Sequence, residues 1–551
     1  MAGKSGNYKI IEQFIADGIT YMFGNPGTVE QGFLDALKDY PEMKYILTLQ
    51  ESVAVLMADG YARSTQKPAL VQLHSSPGIG NAVGALYQAK RGHSPLVVIG
   101  GDAGIRYQNM DAQMANDLVA MMAPVTKYST IVTDAHSVLR TLRRAIKIAA
   151  TPPMGPVYVC LPMDILDQIN NEEVFPTCIP STRTEPANDL IIDAAKMLLA
   201  ADKPMIFCGD GVAYSGANRE LTEVAEILGA EVYGVDFGDV MMDTSHPLYQ
   251  GSTGHMFGTS SYPITSKGDA NLIVGTYMLP EVFPELGNIY APGAKIIHFD
   301  LNAYEIAKNH RVDLGILCDP KLSLSALAET LKSLMTDEYK TAACKRCKNI
   351  EEIKSKKIAA EINADKNQNS LTMASFVEAL TQKIPKDTII FDEALTNSPP
   401  ITRYIPPVEP GSYFVTRGGS LGAGFPGALG IKLNHPGKTV IGFSGDGGCM
   451  YTIQALWTAK RHNIGAKFIV CNNSSYHLLQ LNIDQYWKER DISKHDFPGS
   501  FDLSMPGFNF DLIAKSMGVD AVRVEKLEDI TTAIDKMLAD DKPFLIDLVL
   551  K

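Results

Sequence analysis

Residues 438–473 read KTVIGFSGDGGCMYTIQALWTAKRHNIGAKFIVCNN, and this stretch decides the fold around it. It opens on an apolar run at 439–443, turns at Gly445-Asp446-Gly447-Gly448 and continues with apolar residues at helical spacing to a second apolar run at 468–471. A strand, a helix and a strand in this order predict a parallel β-α-β unit, because parallel strands need a crossover connection. Both strands then end at the same edge of one sheet.

Asp446 and Asn473 lie 27 positions apart and sit at the ends of these two strands, where we expect them to meet. The glycines let the backbone approach a phosphate, and the start of the helix offers free N–H groups. Carboxylate, amide and carbonyl oxygens suit Mg²⁺ bridging to a diphosphate. The residues alone leave a second interpretation open, which is a tight turn with a solvent-facing Asp and a helix-capping Asn.

A GDG turn followed at this spacing by Asn472-Asn473 resembles the motif of thiamine diphosphate-dependent enzymes. The resemblance implies thiamine diphosphate as the cofactor and Mg²⁺ held by Asp446, by the side chain of Asn473 and by the backbone carbonyl of Ser475. The cofactor-binding residues that it implies at this turn are Gly445, Asp446, Gly447, Gly448, Asn473 and Ser475.

Length and composition agree with an enzyme of this kind. A chain of 551 residues predicts about three domains, and its formal charge of −12 with no basic run argues against nucleic acid as a partner. No apolar stretch reaches the roughly 20 residues that span a bilayer, and the start lacks a signal-peptide core. We therefore expect no membrane contact and a cytoplasmic location. Eight scattered cysteines do not form a disulfide framework, and we interpret Cys344 and Cys347 as surface residues rather than as a zinc site.

Two changes in composition divide the chain. Residues 170–188 are polar and proline-bearing, and residues 336–370 are dense in Lys and Glu. The blocks between them alternate strand-like and helix-like patterns, so we predict three α/β domains with largely parallel sheets. By resemblance they are a pyrimidine-binding domain at 1–170, a central domain at 188–335 and a diphosphate-binding domain at 370–551.

Glu51 forms a second candidate site. It lies between a strand-like run at 45–49 and an apolar helical pattern at 52–63, so it falls at the carboxyl edge of a strand. Taken alone, such a Glu is typical of a helix start, where it complements the helix dipole. The family has a Glu in this place, ahead of a turn that here reads Gly60-Tyr61-Ala62-Arg63. The resemblance implies that Glu51 hydrogen-bonds N1′ of the cofactor's aminopyrimidine.

His74 follows a predicted strand at 69–73 and precedes a helical pattern at 82–90. Histidine exchanges protons readily near neutral pH, although a structural His is equally compatible with the sequence. The stretch is similar to the benzoylformate decarboxylase subgroup, which implies proton transfer by His74. Asn25-Pro26-Gly27-Thr28 matches the Asn-Pro-Gly-Ser of that subgroup, in which the Ser hydroxyl binds the substrate carboxylate. The resemblance therefore implies that the Thr28 hydroxyl binds the substrate carboxylate.

A third matching stretch runs from 417 to 427 and reads RGGSLGAGFPG, with a helical pattern at 428–433 behind it. Without the family it would be an ordinary glycine-rich turn. The resemblance implies that Leu421 wedges the cofactor into a bent conformation and that the Gly419 carbonyl accepts a hydrogen bond from the 4′-amino group.

The resemblance is weaker where substrate is chosen. Benzoylformate decarboxylase has a second active-site His in its central domain, whereas the comparable stretch here, 275–282, has none. His477 and Leu478 are predicted to border the substrate pocket, while His255 and His477 are both more consistent with structural roles. The pyruvate decarboxylase pattern, with paired histidines and an acid soon after the Asn pair, is not present.

The function implied is nonoxidative, thiamine diphosphate- and Mg²⁺-dependent decarboxylation of a 2-oxo acid to an aldehyde. The alternative is a carboligase similar to acetolactate synthase, which joins the decarboxylated fragment to a second carbonyl compound, because 246–249 reads HPLY and also resembles that subgroup. A phosphate-binding module or a nicotinamide dehydrogenase stays open from the residues alone, although no clean GxGxxG with a following acid supports the latter. The family implies a homodimer at least, commonly a tetramer, with active sites between subunits.

Overall fold

The computed structural model describes residues 3–278, 280–367 and 370–550. It contains three six-stranded sheets, and every paired strand in them is parallel. Helices cover both faces of each sheet, which confirms the predicted fold class of three α/β domains. The three sheets fall within the predicted ranges, and the domain boundaries themselves stay predictions. Met1 and Ala2 begin the predicted N-terminal domain and Lys551 ends the predicted C-terminal domain, and these three lie outside the described residues.

The N-terminal sheet has the strand order β2-β1-β3-β4-β6-β5. Its strands are β1 Tyr21–Gly24, β2 Lys44–Leu47, β3 Ala69–Leu73, β4 Leu96–Asp102, β5 Tyr128–Ile131 and β6 Val157–Pro162. Its helices are α1 Gly6–Ala16, α2 Gln31–Ala36, α3 Glu51–Thr65, α4 Ser76–Arg91, α5 Leu118–Met122, α6 Val138–Ala150 and α7 Met163–Leu166.

The central sheet has the order β12-β11-β10-β7-β8-β9. Its strands are β7 Pro204–Cys208, β8 Glu231–Gly234, β9 Tyr249–Ser252, β10 Ala270–Val274, β11 Lys295–Asp300 and β12 Leu314–Leu317. The helices here are α8 Asn188–Leu199, α9 Asp210–Ser215, α10 Asn218–Leu228, α11 Gly258–Thr265, α12 Pro320–Leu334 and the long, mostly solvated α13 Asp337–Lys366.

The C-terminal sheet has the order β14-β13-β15-β16-β18-β17. Its strands are β13 Ile389–Glu393, β14 Tyr413–Val415, β15 Val440–Gly445, β16 Lys467–Asn472, β17 Asp520–Val524 and β18 Phe544–Val549. Its helices are α14 Met373–Thr381, α15 Ser398–Tyr404, α16 Gly424–Asn434, α17 Asp446–Cys449, α18 Ala455–Arg461, α19 His477–Glu489, α20 Phe510–Ser516 and α21 Ile530–Leu538.

Several boundaries differ from the sequence prediction. The helix expected at 82–90 begins at Ser76, because Pro77 fits the first turn of α4, where a missing N–H costs nothing. The helix expected after the GDG turn is divided into α17 and α18 by a turn at 450–454. The prediction of one continuous helix there was wrong. The strand expected at 45–49 ends two residues earlier, at Leu47.

The N-terminal and C-terminal domains of one chain pack through α3 and α16. A Cβ on Gly60 would lie 2.2 Å from the Gly427 carbonyl oxygen, and one on Gly430 would lie 1.9 Å from that of Met57. The two helix backbones therefore touch, and any larger residue would push them apart. One buried apolar cluster extends across both domains. Along the described residues, no helix is both long enough and apolar enough to cross a membrane, and the cytoplasmic location stays a prediction.

Candidate active site

Asp446 lies where the sequence predicts it, directly after β15 at the carboxyl edge of the C-terminal sheet. Its side chain is buried, and its Oδ2 accepts a hydrogen bond from the Asn473 N–H at 3.1 Å. Asn473 Oδ1 in turn accepts from the Ser475 N–H at 3.1 Å. The two strand ends are thus joined as expected from the parallel β-α-β unit.

The donor atoms at this corner fit a magnesium ion. Burial raises the pKa of Asp446, while backbone N–H groups from the two turns lower it. The Ser475 Oγ is buried and finds no hydrogen-bond partner among the described residues. The same part of the chain holds no group of three His, Cys, Asp or Glu side chains, so a metal here would be held by oxygens with a single carboxylate. Such an oxygen set with incomplete protein coordination is typical of Mg²⁺ bound together with a diphosphate.

A cavity of about 1250 Å³ opens at this corner, between the C-terminal domain, the central domain and α13. It is large enough for a cofactor and a small substrate. The predicted site residues that line it are Gly419, Leu421, Gly445, Asp446, Gly447, Gly448, Asn473, Ser475, His477 and Leu478, together with His255.

The loop that carries Leu421 follows a path that depends on glycine. Gly418, Gly419 and Gly422 have φ values of +63°, +70° and +89°, which favour glycine. The Thr452 hydroxyl donates to the Gly422 carbonyl at 2.6 Å. This path brings Leu421 to the cavity wall.

Glu51, His74 and Thr28 lie together at the carboxyl edge of the N-terminal sheet. Glu51 begins α3, is 9% exposed and accepts a hydrogen bond from Asn81 Nδ2 at 3.1 Å. A Cβ on Gly78 would lie 3.1 Å from Glu51 Oε1 and 3.2 Å from His74 Cβ, so these two side chains flank that glycine. Thr28 is exposed, and Gly27 directly before it packs against the His74 ring.

Glu30 is a functional candidate that carries no local signal in the sequence. It is 1% exposed, and its Oε2 lies 3.0 Å from His74 Nδ1. Its Oε1 accepts a hydrogen bond from the Gly101 N–H at 3.1 Å. Burial raises the pKa of Glu30, while His74 and the backbone donors lower it. Only the folded chain shows this pair, because 44 residues separate Glu30 from His74.

Within one chain the predicted site residues form two groups that do not share a cavity. The wall of the large cavity includes the diphosphate turn and Leu421, whereas Glu51, His74 and Thr28 are not part of it. The structure therefore brings the residues of each group together, and within one chain the two groups do not line the same cavity.

Family models match all three parts of the chain. The N-terminal TPP binding domain of thiamine pyrophosphate enzymes matches residues 5–121, the central domain matches 191–327 and the C-terminal TPP binding domain matches 397–548. The chain belongs to the thiamine pyrophosphate enzymes, as the motifs predicted. This membership sets aside the nicotinamide dehydrogenase and the simple phosphate-binding module.

Curated relatives include two kinds of enzyme. Benzoylformate decarboxylase of Pseudomonas aeruginosa is 30% identical over 549 residues, which cover 99% of this chain and 98% of that protein. The acetolactate synthase large subunit of Lactococcus lactis is 26% identical over 555 residues, which cover 99% of this chain and 92% of that protein. The chain is thus an enzyme of the decarboxylase and carboligase superfamily that depends on thiamine diphosphate.

Solved structures agree with this placement. The thiamine diphosphate-dependent 4-hydroxybenzoylformate decarboxylase of Rhodococcus jostii RHA1 superposes with a TM-score of 0.84 at 27% identity, and 99% of each chain is covered. Benzoylformate decarboxylase of Polynucleobacter necessarius, at 23% identity and a TM-score of 0.84, shares the fold.

Proposed function

We propose that this protein catalyses the Mg²⁺-dependent, nonoxidative decarboxylation of a 2-oxo acid to an aldehyde. The observation that carries the proposal is the His74–Glu30 pair, since it packs a proton-transfer group against Gly27, the residue directly before Thr28, whose hydroxyl could hold a carboxylate. An aldehyde product requires that a proton be delivered after CO₂ leaves. A histidine oriented by a buried carboxylate suits this step.

Cofactor binding is assigned to the C-terminal domain. Asp446, Asn473 Oδ1 and the Ser475 carbonyl would hold Mg²⁺, and the N–H groups of the Gly445–Gly448 turn would meet the diphosphate. Leu421 would support the bent cofactor, and the Gly419 carbonyl would accept from its 4′-amino group. When bound, thiamine diphosphate supplies a nucleophilic carbon and an electron sink for the loss of CO₂.

The remaining residues are assigned to substrate and protons. Glu51 would exchange a proton with N1′ of the aminopyrimidine. The Thr28 hydroxyl would bind the substrate carboxylate, and His74 would deliver the final proton. His477 and Leu478, on the cavity wall, would border the substrate side chain. The largely apolar surroundings exclude water and so favour release of an uncharged product from a charged acid.

A complete site requires two subunits in this proposal. Glu51 and His74 do not reach the cavity of their own chain, which supports a homodimer in which the N-terminal domain of one subunit faces the diphosphate turn of the other. A tetramer built from two such dimers, and the domain division at 1–170, 188–335 and 370–551, belong to the same proposal.

A carboligase that transfers the decarboxylated fragment to a second carbonyl compound is the second candidate. Acetolactate synthase large subunits among the relatives favour it. In that case water and protons must be kept from the fragment, and a second carbonyl compound must fit in the pocket.

Turnover of a panel of 2-oxo acids tests the proposal. The purified protein is incubated with thiamine diphosphate, Mg²⁺ and either pyruvate or phenylglyoxylate, and products are identified by chromatography. We expect an aldehyde as the main product and loss of turnover in Glu51→Gln with cofactor still bound. A branched 2-hydroxy-3-oxo acid as the main product would favour the carboligase instead, and unchanged turnover in Glu51→Gln would refute its assigned role.

A further inference from the structure

We propose that Glu393 is a positioning residue that fixes Leu421 against the cofactor by holding the backbone on the C-terminal side of this leucine. The inference rests on the proposed cofactor site. Glu393 ends β13, the strand beside β15, and its side chain is 1% exposed. It does not line the cavity and so acts through other residues.

The Glu393 carboxylate binds the Leu421 loop with both oxygens. Oε1 accepts from the Gly422 N–H at 2.5 Å, and Oε2 accepts from the Gly424 N–H at 2.6 Å. The Ser444 hydroxyl adds a longer bond to Oε2 at 3.2 Å. Ser444 immediately precedes the diphosphate turn, so one carboxylate links the two parts of the chain that are assigned to the cofactor. In its ionised form this carboxylate makes hydrogen bonds about twice as strong as neutral ones.

The loop has little freedom to move once this carboxylate is in place. The Gly422 peptide is held from both sides, because its carbonyl accepts from Thr452 while its N–H donates to Glu393. A Cβ on Gly424 would lie 2.2 Å from the Phe443 carbonyl oxygen, so the start of α16 sits directly on β15. Because Leu421 is covalently bonded to Gly422, its position at the cavity wall depends on the position of the Glu393 carboxylate.

Burial makes this arrangement costly, which argues for a specific role. The groups that act on Glu393 are the two backbone N–H donors, the Ser444 hydroxyl and the adjacent Asp392, whose negative charge is unfavourable. Burial raises the pKa of Glu393 to about 7. A carboxyl group in such surroundings contributes little net stability. It does, however, make two directed hydrogen bonds to one loop.

The test measures cofactor binding by calorimetry with thiamine diphosphate and Mg²⁺ on the whole protein. Glu393→Gln keeps the shape but aims an NH₂ group at one of the two N–H donors, so the loop must shift. We expect the dissociation constant for thiamine diphosphate to rise tenfold or more. Glu172→Gln is the matched control, because Glu172 also accepts two backbone N–H groups, those of Leu139 and Arg140, one with each oxygen, and it does not line the cavity. It should lower the thermal midpoint similarly and leave binding within twofold of wild type.

A double-mutant cycle separates positioning from a merely structural role. If Glu393 acts through Leu421, then Glu393→Gln adds little to the binding loss of Leu421→Ala, and the two effects are not additive. Fully additive effects, or Glu393→Gln within twofold of wild type, would overturn the proposal. Glu393→Asp keeps the charge but is too short to reach both N–H groups, and it replaces Glu393→Gln if that variant does not fold. This test measures cofactor binding and not turnover. If the wild-type protein binds thiamine diphosphate but does not convert 2-oxo acids, the proposed function is refuted and the test of Glu393 can still be carried out.

Discussion

His74 Nδ1 lies 3.0 Å from Glu30 Oε2, and this pair defines how the histidine faces the site. Glu30 is fixed by burial and by the Gly101 N–H. A bond at Nδ1 leaves Nε2 as the ring nitrogen that can exchange a proton with a substrate. The ring also packs on Gly27, where a Cβ would lie 2.0 Å from Nδ1, so its orientation is set from two sides.

Glu30→Gln should therefore reduce turnover without reducing cofactor affinity. The amide cannot stabilise the charge on His74 in the same way, and proton transfer of this kind contributes about 10²–10⁴-fold. We expect kcat to fall by roughly 10- to 100-fold in steady-state assays, with an unchanged dissociation constant for thiamine diphosphate by calorimetry. Adding Glu30→Gln to His74→Gln should cost little more, since Glu30 acts through the histidine. Full activity in Glu30→Gln would show that the pair is only structural.

Asp446→Asn should abolish tight binding of cofactor and metal together. The substitution removes the only carboxylate of the assigned oxygen set, and chelation of Mg²⁺ from wild type should have the same effect. Asp319→Asn is a matched control, because Asp319 is also a buried Asp at a helix start, where it accepts from the Leu322 N–H at 3.0 Å. The control should lose little stability, because Asn caps a helix about as well as Asp does. Calorimetry that finds wild-type affinity in Asp446→Asn would contradict the metal assignment.

Mixed dimers test whether the active site forms between subunits. Glu51→Gln and Asp446→Asn should each be inactive alone. When the two are unfolded and refolded together, half of randomly formed dimers contain one of each, and one of their two sites has both residues intact. We expect about a quarter of wild-type activity to return. No recovery, with mixed dimers verified by mass spectrometry, would place both residues in the site of one chain.

Stability should fall between about pH 6.5 and 4 partly because of His298. This residue is 2% exposed on β11, and burial lowers its pKa from 6.5 to about 4. The unfolded chain takes up the proton first as the pH falls, so the folded state is fully stable above 6.5 and loses stability as the pH approaches 4. The contribution is about 3 kcal/mol. In His298→Leu the thermal midpoint should depend less on pH in this window. His136→Leu, at an exposed position, should keep the pH dependence of wild type. Parallel curves for wild type and His298→Leu would rule out this contribution.

The sequence predicts those parts of the site whose residues lie in one supersecondary unit. Asp446 and Asn473 could be placed together because the two strands of a parallel β-α-β unit end at one edge. Glu51 is at a strand end for the same reason. The break between α17 and α18 could not be seen, because the apolar spacing continues across it.

Glu30 and Glu393 escaped prediction for a different physical reason. The importance of each comes from partners that are distant in sequence, namely His74 for Glu30 and the Gly422–Gly424 backbone for Glu393. No local pattern marks such a residue before the sheets are assembled. The separation of Glu51 from the large cavity of its own chain is likewise a property of the folded molecule alone.

The ratio of CO₂ released to 2-oxo acid consumed tests the central claim most directly. It is measured with wild-type protein, thiamine diphosphate, Mg²⁺ and one 2-oxo acid from the panel that is turned over. Decarboxylation to an aldehyde predicts one CO₂ for each acid consumed, with an equal amount of aldehyde. One CO₂ for every two acids, with a branched acid as the product, would contradict it and identify a carboligase.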